Sequence, residues 1–260
     1  MWNRAELKED SKALVRLNYW PFVLVAFIHA FVTGGVTGGS GFSASRNHDI
    51  DLDLHDFSGH GHYDYNLIFD SVTLAILGTA FVVVLVMMAL GVVLDIFVFN
   101  ALEVGCKRYM TIARNVKPQF GEMAFAFKNC YGNVIKTMFL VDLYTFLWSL
   151  LFVIPGIIKS YEYRMVPYLM AEYPDMASSE AFRISREMMA GNKWETFVLD
   201  LSFIGWNILS VITFGLVGIF YAGPYQMLTN CALYLTLKKT NPSFGYVQPD
   251  DNYYYNGGQF

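Results

Sequence analysis

Apolar residues in this chain come in long runs separated by short mixed segments. Val72 to Leu94 carries no charge, and neither does Leu216 to Leu237. Thr137 to Ile154 contains only Asp142, and Phe197 to Phe214 only Asp200. Trp20 to Val36 is shorter and uncharged, with His29 inside it. A helix needs about 20 mostly apolar residues to cross a hydrocarbon core of about 30 Å, so these five runs predict transmembrane helices. Residues 3–17, 119–130 and 178–190 instead mix basic, acidic and apolar residues at helical spacing. That pattern predicts amphipathic helices at the headgroup boundary, apolar face inward. Asp175 or Ser178 is placed to cap the third of them.

A sixth span is expected from Gly156 to Ala171, although it holds Lys159, Glu162 and Arg164. Internal repetition supports it. Glu180-Ala181-Phe182, Gly191-Asn192 and Asp200-Leu201 echo Glu122-Met123-Ala124-Phe125, Gly132-Asn133 and Asp142-Leu143. Gly156-Ile157 leading to Pro167-Tyr168 echoes Gly218-Ile219 leading to Pro224-Tyr225, and the second copy is uncharged. The predicted fold is all-α: a polytopic transmembrane bundle of six spans over residues 1–240, built as three hairpins, each preceded by an amphipathic cytoplasmic helix. The tail, 241–260, is rich in Tyr, Gly, Asn and Pro and is expected to be disordered.

Charge fixes the expected orientation. With six spans, 15 of the 18 Lys and Arg residues fall on the side of both termini, and Arg46 alone lies in the large opposite loop. Enrichment of Lys and Arg in cytoplasmic loops makes that side, with both termini, the cytoplasm. Basic residues before the run Pro21–Val32, with Ser43-Ala44-Ser45 beyond, also have the outline of a cleaved signal. Glu6, Glu9 and Asp10 favour the amphipathic helix. Composition agrees: 55% of residues are hydrophobic and 15% charged, against about 25% charged in soluble domains. Cys106, Cys130 and Cys231 share no metal-like or disulfide-like spacing.

The candidate chemistry lies in two places. Asp95, Asp142, Asp200, Lys159, Glu162 and Arg164 sit within apolar stretches, where ions are costly and face a partner or water. Asp142 and Asp200 follow Asn133 and Asn192 by similar intervals, which places them at equivalent depths. Arg164 is the natural cation for one or more of the aspartates. These groups either hold the bundle together or line a polar cavity. The loop at about 37–66, expected outside, holds His48, His55, His60 and His62 among several aspartates, a donor set suited to zinc. No cofactor is otherwise expected. Glycine-rich phosphate loops, HExxH and GxSxG are absent, which argues against an enzyme. The expected partners are the bilayer and a further copy or another membrane protein, with no nucleic acid.

Leu102-Glu103-Val104-Gly105, Asp142-Leu143-Tyr144, Ile154-Pro155-Gly156-Ile157-Ile158-Lys159 and Ser185-Arg186 through Gly191-Asn192-Lys193-Trp194 give the chain a family likeness. It resembles domain-of-unknown-function family 975, multi-pass bacterial membrane proteins. The Pro-Gly-Ile turn and Gly-Asn-Lys-Trp are more remotely similar to membrane domains attached to some glycerophosphodiester phosphodiesterases. The resemblance implies location and architecture, not an activity. Three functions therefore stay open: a non-enzymatic scaffold or envelope-homeostasis component, a small permease or channel-like subunit, and a metal-handling protein using the histidine loop.

Overall fold

A computed structural model describes residues 2–34, 65–114 and 116–241. Helices and turns make up these residues, with no strand among them. The loop histidines His48, His55, His60 and His62 and the tail beyond Asn241 lie outside the described residues.

Helix α1 (Arg4–Leu17) starts where Asn3 accepts a hydrogen bond from the Ala5 amide, a side-chain cap for an otherwise orphaned donor. It buries Leu7, Ser11 and Val15 and leaves most of its charges in solvent. Helix α2 (Tyr19–Gly34) follows at 109° to it. Helix α3 (Tyr65–Leu94) runs through a π-helical turn, Asp95–Phe99, into α4 (Asn100–Ile112). From Thr73 to Leu90 every side chain faces outward.

The expected amphipathic helix at 119–130 is instead a 3-10 turn, Phe120–Ala124, and one helical turn, α5 (Phe125–Lys128). Here the chain packs so tightly on α4 that a Cβ at Gly105 would overlap the Met123 carbonyl. Helices α6 (Tyr131–Leu151) and α7 (Val153–Tyr163) form a hairpin, and α8 (Val166–Glu172) continues α7 after a break. Helix α9 (Ser178–Met189) is the third amphipathic helix. Neither predicted residue caps it: Asp175 accepts from the Cys130 thiol, and Ser178 Oγ lies 2.8 Å from Thr137 Oγ1. Helices α10 (Lys193–Leu201) and α11 (Ile204–Ile212) form the outgoing leg of a last hairpin. Its return is a second π turn, Gly218–Ala222, leading into α12 (Gly223–Thr240).

The repeat seen in the sequence has a physical counterpart at the two hairpin tips. Gly156 sits against Ser149 and Gly218 against Ser210, so in each hairpin a glycine of the returning leg lets the two legs cross closely. The π turns also share a device. Pro224 lacks the N–H that would bond the Phe220 carbonyl, and the Tyr19 hydroxyl takes that carbonyl at 2.9 Å. The Tyr131 hydroxyl likewise bonds the Phe97 carbonyl at 2.7 Å in the first π turn.

The packed core lies between α4, α8, α9 and α12, with the inner faces of α1 and α2 closing it. By length and composition three described stretches suffice to cross a membrane: Thr73–Ile112, Tyr131–Leu151 and Lys193–Ile212. A fourth arises if the bent pair α1 and α2 counts as one span. Among the described residues the expected six are not confirmed by this measure. Of the Trp20–Val36 run the described part, to Gly34, lies in the 16-residue α2, and Gly156–Ala171 is split between α7 and α8. Leu216–Leu237 is divided by the π turn and carries Gln226, Thr229 and Asn230.

Candidate functional site: an ion network at the helix breaks

The α7–α8 break brings most of the predicted ions together. The helix is interrupted by a turn at Arg164 and Met165, freeing backbone groups that need partners in a buried setting. Ser185 of α9 supplies them: its hydroxyl donates to the Glu162 carbonyl at 2.7 Å and accepts from the Met165 amide at 3.2 Å. The side chains on either side of the break then point at α10 and α12. Arg164 grips Asp200 through both terminal nitrogens, at 2.5 and 2.8 Å, and donates to Asn230 Oδ1 at 2.9 Å. The Tyr161 hydroxyl adds a bond to the same carboxylate at 2.8 Å. Such two-pronged guanidinium–carboxylate pairs fix geometry as well as charge.

Glu162 turns the other way, accepting from Lys159 at 2.7 Å and from Lys193 at 2.6 Å. Lys159 also lies over the Trp148 ring, 5.4 Å from its centroid. Asp142 is held elsewhere, by Asn100 Nδ2 at 2.9 Å, with Asp95 and Glu103 in electrostatic range. The six predicted ions thus separate into three groups: Arg164 with Asp200, Glu162 with Lys159, and Asp142 with Asp95. Arg164 and Asp142 do not meet.

Several partners carried no signal in the sequence. Asn100, Asn230 and Tyr161 are neutral residues in helical runs. Glu172 is buried and takes Tyr234 Oη at 2.6 Å and Lys238 Nζ at 2.5 Å, which ties α8 to α12. Arg108 joins Glu122 at 2.7 Å and the Ala171 carbonyl at 2.9 Å. Asn133 and Asn192, the repeated residues, each bond backbone carbonyls: Asn133 those of Pro174 and Met176, Asn192 those of Met188 and Ala190.

Outside the apolar stretches, burial against Phe203 and the neighbouring charges of Lys12 and Arg4 hold the Lys8 ammonium below the usual lysine range. The Asp175 carboxylate beside Cys130 pushes that thiol up. Arg183 holds the Glu180 carboxyl down through its hydrogen bond on the exposed face of α9. No group of three or more His, Cys, Asp or Glu placed to hold a metal occurs among the described residues.

This is an all-α protein with several helices apolar enough for a bilayer and an ion network where those helices break. Residues 150–241, from the end of α6 through α12, match the model of a family described as Protein of unknown function (DUF975). It is the family whose motifs the sequence resembles, and the matched segment holds Arg164, Asp200 and Asn230. The remoter similarity to glycerophosphodiester phosphodiesterase membrane domains is not shown by that match. No curated protein and no solved structure matches the chain.

Proposed function

We propose that the chain is a non-enzymatic multi-pass protein of the bacterial plasma membrane, a scaffold or envelope-homeostasis component, with both termini in the cytoplasm. The observation that carries this reading is that the ions of the α7–α8 break are consumed by one another. Arg164 spends its terminal nitrogens on Asp200 and Asn230, and Glu162 is shared by two lysines. Groups arranged this way hold helices together and leave little free charge for a substrate. The outward apolar side chains of α3 supply the surface that a bilayer covers.

A second reading, a small permease or channel-like subunit, draws on the other carboxylates. Asp142 is exposed and has a neutral partner, with Asp95 and Glu103 nearby. Asp142→Asn separates the two. For a scaffold, any loss of cell-envelope integrity follows loss of folded protein. A variant that accumulates and melts like the parent yet loses all cellular activity refutes the scaffold and favours the permease. Alkaline carbonate extraction tests the shared premise: release of the chain from membranes would refute both.

A further inference from the structure

We propose that the α6–α7 hairpin and the α10–α11/α12 hairpin enter a single leaflet of the bilayer and turn back inside it, as wedges rather than full spans. This rests on the membrane reading above. The occupant of their exposed apolar surface is the acyl-chain layer of one leaflet.

The argument begins with charge and chain length. Along an α-helix residues rise about 1.5 Å each, which caps the depth a hairpin can reach below any given residue. The first tip lies at Phe152. Asp142 is ten residues from it on one leg, and Lys159 seven and Glu162 ten on the other. The apolar part of this hairpin is therefore at most about 10–15 Å deep, half of a hydrocarbon core of about 30 Å. If the tip reached the far surface, Lys159, Glu162 and Lys193 would be left in hydrocarbon, where charge is rare and costly.

The last hairpin carries the same limit, imposed by α1. Its tip lies at Phe214, fourteen residues beyond Asp200. Lys8 Nζ stands 4.4 Å from the Phe203 ring centroid and Lys12 Nζ 5.7 Å from that of Tyr225. Exposed Lys12 and Arg16 line a shallow cleft with Tyr221 and Tyr225. Tyr221 is only seven residues from Phe214, or about 10 Å of helix. A helix as charged as α1 belongs among headgroups, so the last hairpin also projects roughly one leaflet past it. Aromatic residues of the kind found near membrane boundaries lie in both hairpins: Trp148 under Lys159, and Trp206 against Tyr221 at 4.8 Å between centroids.

The tips themselves are finished for a water-free setting. Leu150 to Ile154 are all exposed and apolar, and Phe214 is 91% exposed. The side-chain hydroxyls there are satisfied internally, as hydrocarbon favours. Ser149 Oγ bonds the Thr145 carbonyl and Thr213 Oγ1 that of Leu209, each at 2.8 Å. In the last turn the Phe214, Gly215 and Leu216 amides bond the Val211, Ser210 and Thr213 carbonyls, and the Val217 amide bonds Thr213 Oγ1.

The test uses the full chain with its native cysteines replaced and single cysteines introduced by Phe152→Cys, Phe214→Cys and Lys136→Cys. Each variant is probed with a membrane-impermeant maleimide in right-side-out and inverted membranes. The same variants, labelled with bimane, are reconstituted in 3:1 phosphatidylcholine–phosphatidylglycerol vesicles containing lipids brominated near the headgroup or near the middle of the acyl chain. The expected result is labelling at 136 from one face, no labelling at 152 or 214 from either, and stronger quenching of both tips by mid-chain bromine. Labelling at 152 or 214 from the face opposite 136 overturns the proposal and leaves the membrane reading standing. Labelling at the tips from the same face as 136, with no bromine quenching, overturns it too; release by carbonate in the same preparation would take the membrane reading with it.

Discussion

Replacing Asp200 by Ala is the sharpest test of how the helices are held. The change removes the carboxylate that receives two bonds from Arg164 and one from Tyr161. It leaves a guanidinium whose side chain is 22% exposed with no anion, facing only neutral groups such as Asn230 and the Tyr161 ring. Breaking a buried ion pair by deleting one partner costs about 3–5 kcal/mol, and the partial exposure here points to about 3. For a chain of this size each kcal/mol moves the midpoint by about 2–4 °C, so Tm should fall by about 6–12 °C. Cys106 and Cys231 are both buried and report unfolding through a fluorogenic maleimide, in a Cys130→Ser background in detergent. Replacing the pair together, Arg164→Met with Asp200→Leu, removes the stranded charge and should recover most of the loss, since apolar pairs of similar volume commonly substitute for buried ion pairs. A single variant within 2 °C of the parent, or a double variant as unstable as the single, would refute the view that this pair fastens α7 to α10.

Other outcomes follow from the same geometry. Gly156→Ala should be destabilising, because the new Cβ would meet the Ser149 Cα at 2.7 Å and backbone must move, whereas Gly218→Ala meets chiefly the Ser210 side chain and should cost less; Gly78→Ala and Gly91→Ala meet nothing within 4 Å and should be neutral or stabilising by thermal melting. Ser185→Ala should cost about 1–3 kcal/mol in denaturant titration, since it strands the Met165 amide and Glu162 carbonyl at the break. Cys130 should react with an aqueous disulfide reagent more slowly than an ordinary exposed thiol at pH 8, because its raised pKa keeps it protonated, with the rate rising as pH increases; Asp175→Asn should speed it, and an unchanged rate would remove the carboxylate as the cause.

How much of this was legible in the sequence differs by feature. The apolar runs located α3, α6 and α10–α11 because burial in lipid needs nothing but length and hydropathy. Run length is blind to what stands opposite, however. Nothing between Leu216 and Leu237 announces that Lys12 and Arg16 of α1 lie beside Tyr225 and Tyr221. The repeat marked Gly156 and Gly218 correctly as related positions, and their shared contact with a serine explains why both are glycine. The π turns were out of reach, since each depends on a tyrosine brought in from a distant part of the chain. Arg164 was readable as a cation seeking an aspartate, but the choice of Asp200 over Asp142 is made by how α7 meets α10. The failed caps have a similar origin: Ser178 and Asp175 are cap-forming residues whose side chains found Thr137 and Cys130 first.

The bond from Tyr19 to the Phe220 carbonyl, with Lys8 and Lys12 over the rings of Phe203 and Tyr225, joins residues about two hundred positions apart. Part of the seat of α1 is near in sequence, in α2 and at Arg114, but its most extensive contact is with α12. The inner face of α1 is therefore completed only by residues beyond Gly223, and closure over so long a stretch of chain slows folding.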